Sequence, residues 1–236
     1  MGRSAFLIGG GNDPAGVAES HRPFVAATGG GPIVVVAVAD EPGGAVDVAR
    51  WTGDLRSAGA DEVRVVVPDD GRPLTAADTA GAAGVYVAGG LTPRYRALLV
   101  DDAEPGWLPD DVPYAGFSAG CAVAAERAIV GGWRHAGVEV CPADAGEDLD
   151  ELTTGTGLGV VPFALDVHAT QWGTLGRLLH AVQARLVPEG WAVDEHTCLE
   201  VSAGGETAVH GWGTAYRVAR AHVDVHVTPV RARRSG

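Results

Sequence analysis

Short apolar runs alternate with longer amphipathic stretches through the first half of the chain. Residues 5–8 predict a strand that stops at Gly9, Gly10 and Gly11, and residues 18–27 predict a helix. Residues 33–38 form an unbroken apolar run with four valines, the pattern of a strand buried on both faces of a parallel sheet. Residues 45–58 predict a helix with Val46, Val48, Trp51 and Leu55 on one side. Residues 63–67, 85–88 and 112–117 predict further strands, and residues 121–127 a short helix. Such a βαβα rhythm predicts a doubly wound α/β sheet.

Beyond about residue 128 the rhythm loosens. Residues 131–156 hold glycines, acids and the start of a Thr-Thr-Gly-Thr-Gly run, and predict a long loop region with at most short strands. Residues 172–186 return as a helix. Short strands are expected over 192–193, 198–201, 208–211, 216–218 and 222–227, with a frayed tail over 231–236. No internal repeat or linker interrupts the chain, so residues 1–236 are expected to form one domain.

Composition narrows the chemistry. Apolar residues make up 46% of the 236 positions, enough for a sizeable core, and charged residues only 20%. The formal charge of −13, from 17 basic and 30 acidic side chains, argues against nucleic acid or a basic membrane-binding face as a partner. The chain has no lysine, so every basic residue is arginine. That removes Schiff-base chemistry, a Ser–Lys dyad and a P-loop lysine together. Cys121, Cys141 and Cys198 form no CxxC pair, and an odd count is a poor disulfide framework. The chain therefore reads as cytoplasmic, and its first apolar run is too short for a signal peptide or a membrane span. Nothing has the spacing of a metal site such as HExxH, and no metal or organic cofactor is expected. A homodimer is expected on base rates alone.

The strongest local signal is Gly116, Phe117, Ser118, Ala119, Gly120, between a strand candidate and a helix candidate. This is the context of a nucleophile elbow, where a sharp turn exposes the serine and the next amide can donate to an oxyanion. The plainer alternative is a tight strand–helix turn with an incidental serine. A serine nucleophile needs a base. Of eight histidines, His168 stands out, because it follows the apolar run 160–165 and precedes a helix, and strand ends in α/β sheets face ligands. A second oxyanion donor fits the glycine-rich turn after residues 85–88, at Gly90. The Gly9–Gly11 turn lacks the G-x-G-x-x-G spacing of a dinucleotide site.

In order along the chain, these segments resemble the S51 peptidases, the cyanophycinase and aspartyl dipeptidase group. The matching features are the early triple-glycine turn, residues 88–90, 116–120 and 157–159, Asp166-x-His168 with Arg177 after it, and residues 190–197. The resemblance implies a flavodoxin-like, mostly parallel sheet with helices on both faces, related to class I glutamine amidotransferases. It implies Ser118 as nucleophile, His168 as base, and the amides of Gly90 and Ala119 as oxyanion donors. Thr92, Asp166, Trp172, Thr174 and Arg177 fall at the substrate-binding positions. Two of these, Trp172 and Thr174, stand where the family carries arginines, which makes a β-aspartyl substrate doubtful and a more apolar or aromatic group the better expectation. For the third triad member the family places an acid between serine and histidine. Glu139 is the expectation among Glu139, Asp144, Glu147 and Asp148, with Asp194 and Glu195 as alternative orienters. The expected activity is amide hydrolysis of a small peptide-like substrate through an acyl-enzyme. An esterase, lactonase or acyl transferase is a second reading, and a non-catalytic binding protein on the same fold a third.

Overall fold

The structure is a computed structural model that describes residues 2–232. Among the described residues there are six α-helices and fifteen strands. The first half contributes β1 (Ala5–Ile8), α1 (Pro14–Ala27), β2 (Ile33–Val36), α2 (Val48–Ser57), β3 (Val63–Val66), α3 (Ala76–Thr79), β4 (Gly84–Val87), α4 (Thr92–Arg96), β5 (Tyr114–Phe117) and α5 (Ala119–Val123). After these come β6 (Arg127–Gly131), β7 (Arg134–His135), β8 (Val138–Glu139), β9 (Thr153–Thr156), β10 (Ala164–Val167) and α6 (Leu175–Gln183). The chain closes with β11 (Glu189–Val193), β12 (Thr197–Val201), β13 (Thr207–Gly211), β14 (Thr214–Ala221) and β15 (Asp224–Arg231).

The main sheet has the order β13-β12-β1-β5-β4-β2-β3. Its five central and outer strands β1, β5, β4, β2 and β3 are parallel, and β12 and β13 add antiparallel at one side. Successive residues of a strand face opposite ways. Accordingly Leu7 joins a core with Leu98, Leu99 and Val123, while Phe6 and Ile8 join Phe24, Trp51 and Leu55. Helices therefore cover both faces, which matches the doubly wound expectation. Solvent is excluded from both sides of β1, β2, β4 and β5.

A second sheet, β10-β11-β14-β15, was not foreseen as a separate layer. The short strands at the C-terminal end divide between the two sheets: β12 and β13 extend the main one, whereas β11, β14 and β15 join β10. Strand β10 runs parallel to β11, and α6 packs Leu178, Ala181 and Val182 onto this sheet with Ala164 and Ala192. The loose region is crossed by two short antiparallel pairs, β6 with β9 and β7 with β8.

Several boundaries moved for local reasons. Helix α1 starts four residues earlier than the apolar pattern, because Asp13 caps the Ala15 and Gly16 amides and Pro14 opens the first turn. The helix expected over 121–127 stops at Val123, since the Glu126 amide is taken by the Val161 carbonyl and the chain turns into β6. The helix expected from 172 begins at Leu175, because the residues before it form a turn at the site. Arg231 ends β15 instead of starting a frayed tail, and residues 233–236 lie outside the described residues. Among the described residues no helix is long and apolar enough to cross a membrane.

Candidate functional site

Strand β5 is held between β1 and β4, and its last residue, Phe117, is paired with Ile8. The chain must reverse at once into α5, and the two flanking glycines make that reversal sterically feasible. A Cβ on Gly116 would strike the Gly120 carbonyl, and one on Gly120 would strike the Val87 carbonyl. Ser118 at the turn has φ 50° and ψ −111°, a costly conformation for a side-chain-bearing residue. Its amide is tied to the Ile8 carbonyl at 3.0 Å, which holds the strained residue in place and leaves the side chain half-buried beside an open cleft.

The second sheet supplies what faces it. His168 directly follows β10 and Glu195 follows β11 by one residue beyond Asp194; the parallel pairing of these strands brings their ends together. Ser118 Oγ lies 2.9 Å from His168 Nε2, and His168 Nδ1 lies 2.8 Å from Glu195 Oε1. An ionised carboxylate only accepts hydrogen bonds, so Glu195 favours the tautomer with a proton on Nδ1. Nε2 is then free to accept from the serine hydroxyl. Burial pushes the His168 pKa below its ordinary value, and the Glu195 hydrogen bond and charge oppose this. The net direction keeps the imidazole neutral and ready to take a proton.

Hydrogen bonds across the loops set this register. The Asp194 carboxylate receives the Thr170 amide and hydroxyl and the Thr214 amide, and the Gln171 side-chain oxygen receives the Glu195 amide. The triple-glycine turn joins the two sheets. His168 N donates to Gly9 O, His196 N to Gly10 O, and Gly9 N to Thr197 O. Gly10, with φ 110°, rests against the His168 ring so closely that a Cβ there would collide with Cε1. The glycine run was legible in the sequence, whereas its role as the seat of the histidine depends on a partner more than 150 residues away.

Of the expected site residues, Ser118 and His168 are brought together. Gly90 lines the same cleft, and Ala119 opens α5 immediately after Ser118. Tyr95 steadies the glycine turn by donating to Gly89 O while accepting from Val38 N. Glu139 is not brought to the pair: it is exposed at the end of β8, opposite Arg134, and Glu195 occupies the position beside His168. The expectation took the acid from between serine and histidine in sequence, whereas the carboxylate beside His168 comes from just beyond β11, the strand after the histidine.

The expected substrate-binding set is also corrected. Asp166 and Arg177 are buried and grip each other through paired bonds of 2.7 and 2.9 Å, with Arg177 also donating to Ala145 O at 2.6 Å. Burial opposes the Arg177 charge, and Asp166 more than offsets it, leaving the pKa above its usual value. Thr174 is buried and donates to Val167 O, and Thr92 is buried with its amide on Glu147. None of these four lines the cleft. Trp172 alone of the five lines the cleft, 43% exposed, with its indole stacked on the His168 ring at 4.0 Å between centroids and 9° between planes.

The cleft has a volume of about 1270 Å³. Asp40, Glu41 and Asp47 line it from the segment after β2, and Asp144, Glu147, Asp148 and Asp150 from the segment before β9. Against these, Arg50 is the one arginine in the lining among the described residues, and it stacks on Trp51 at 4.5 Å. Like charges in a concave wall focus a negative potential inward. Among the described residues no cluster of His, Cys, Asp and Glu could hold a metal ion.

The fold and this geometry define an α/β protein with a hydrogen-bonded Ser118–His168–Glu195 array at the meeting of two sheets. The chain is similar to cyanophycinases of Synechococcus elongatus and Thermosynechococcus vestitus, each 32% identical over 160 residues, covering 61% of this chain and 46% of the relative. It thus spans about half the length of the curated relatives it matches. Its fold is similar to that of a peptidase from an acI-B1 actinobacterium, with TM-score 0.63 and 16% identity over 98% of this chain and 94% of the other. A putative peptidase E protein from Listeria monocytogenes shares it with TM-score 0.56 and 16% identity over 89% of this chain and 99% of the other. No family model matches the chain. The likeness to these two solved structures is one of fold.

Proposed function

We propose that the protein is a serine peptidase of the S51 type that cleaves an amide bond in a small peptide-like substrate. The observation that carries this reading is the continuous relay from Ser118 Oγ through the His168 ring to Glu195 Oε1. His168 takes the serine proton through Nε2 as Oγ attacks the carbonyl carbon, and Glu195 stabilises the imidazolium that forms. The amides of Gly90 and Ala119 receive the developing oxyanion. His168 then returns its proton to the departing amine, and a water molecule activated by the same ring releases the acyl group. The arginine expected to grip a carboxylate is buried on Asp166, and carboxylates outnumber the single Arg50 in the cleft lining, which disfavours a substrate with a free carboxylate next to the scissile bond.

A neutral fluorophosphonate tests this directly. It should form a stable adduct with the wild-type protein at Ser118, and Ser118→Ala should abolish labelling. Labelling that survives the substitution would overturn the assignment. The exposed Trp172 in the cleft favours a second reading, hydrolysis or transfer of an apolar acyl ester. Turnover of activated esters without turnover of any dipeptide amide would select it. A protein that neither labels nor turns over would be a binding protein on this fold.

A further inference from the structure

We propose that Trp172 is a positioning residue, which holds the His168 imidazole in the plane of the relay and offers its π face to the charge that ring acquires; this rests on the relay reading above. Two in-plane hydrogen bonds, at Nε2 and Nδ1, anchor the imidazole but leave it free to rock about the line joining them. The indole removes that freedom, because it lies nearly parallel to the ring at contact distance, 4.0 Å and 9°. The Cε1 edge is meanwhile closed by Gly10. An aromatic face also attracts positive charge, and His168 becomes positive only after it has taken the serine proton. The stack therefore favours the charged state of the reaction over the resting one.

The backbone presents Trp172 for this purpose. Its amide donates to the His168 carbonyl at 2.9 Å, so both rings belong to one turn. That turn is braced by Thr170 on Asp194 and by Gln171 on the Glu195 amide, the same segment that delivers the acid. Gly173, with φ 72°, then releases the chain into α6. The indole is too exposed to be a core residue, and its closest aromatic partner is the relay histidine.

The test compares Trp172→Ala and Trp172→Phe in the full chain. A phenyl ring can keep the stack, whereas a methyl group cannot. With diisopropyl fluorophosphate, a probe too small to need an aromatic wall, Trp172→Ala should slow the labelling of Ser118 by ~10–100-fold, the scale of a misplaced reacting group. Trp172→Phe should stay within about threefold of wild type, since it keeps a π face over the ring. A Trp172→Ala rate equal to wild type overturns the proposal. So does a loss confined to bulky probes, which would make Trp172 a wall for substrate only. Proton NMR provides a reading independent of labelling. The His168 Nδ1 proton on Glu195 should resonate far downfield in wild type and Trp172→Phe and vanish through exchange in Trp172→Ala. If wild type fails to label, the hydrolase reading falls, and this signal still decides the role of Trp172: loss in Trp172→Ala supports it and survival overturns it.

Discussion

The two sheets contribute to one site by different physical means. The main sheet delivers Ser118 through a five-residue turn whose requirements are local: a buried strand, two glycines where a Cβ would meet backbone, and a helix that starts at the next residue. The second sheet delivers His168 and Glu195 through long-range ties. These are a parallel strand pair, carboxylate and amide braces from Asp194 and Gln171, and a seat on the triple-glycine turn of the other sheet. A side chain placed by sterics, such as Ser118, tolerates little change in its own turn. A side chain placed by a network, such as His168, depends on residues scattered along the chain. Ser118 is thus set by local sterics, whereas His168 and Glu195 are set by tertiary contacts.

The largest effect is expected at Glu195. Glu195→Gln removes the carboxylate that sets the His168 tautomer, and should lower the labelling rate at Ser118 by ~10³–10⁴-fold, as expected where an acid orients a catalytic histidine. Glu139→Gln, on the exposed hairpin, should leave the rate within about twofold, as surface changes do. Equal losses in the two variants would show that the observed Glu195 contact does not govern the reaction.

A smaller effect is expected beneath the second sheet. Asp166→Asn leaves the Arg177 guanidinium buried without its counter-charge, and should cost about 3–5 kcal/mol of stability in urea unfolding. Because Asp166 lies two residues before His168 on β10, labelling should also slow in the protein that remains folded. A stability change below about 1 kcal/mol would show that the pair is not a support of that sheet.

The smallest expected effect concerns the cleft between the regions. Its carboxylate lining predicts that a fluorophosphonate bearing an ammonium group labels roughly tenfold faster at low salt than a matched probe bearing a carboxylate, with the ratio falling toward one at high salt. A preference for the anionic probe at any ionic strength would contradict the electrostatic reading of the cleft.

Much of the scaffold was legible because burial on both faces leaves a strong pattern. The valine run at β2, the apolar β4 and the glycine-flanked turn at Ser118 each show their place in the fold within a few residues. His168 was also legible, since it closes an apolar run before a helix. Helix α4 carries no comparable pattern. It opens at Thr92 with proline at its N-terminal end, and its Tyr95 matters through bonds to Gly89 and Val38 that sequence proximity does not reveal. The division of the C-terminal strands between two sheets was equally hidden, because short alternating strands specify a face to bury but not the partner that buries it.

What the sequence determined by itself is the Ser118 turn and the parallel sheet beneath it, because sterics and burial act between near neighbours. Tertiary structure alone decided that Glu195, and not Glu139, sits on His168, that Arg177 is spent on Asp166, and that Trp172 lies flat on the relay ring. Each of these depends on which strand ends meet in space, and hydrogen-bond reach is a matter of ångströms in the fold rather than of order along the chain.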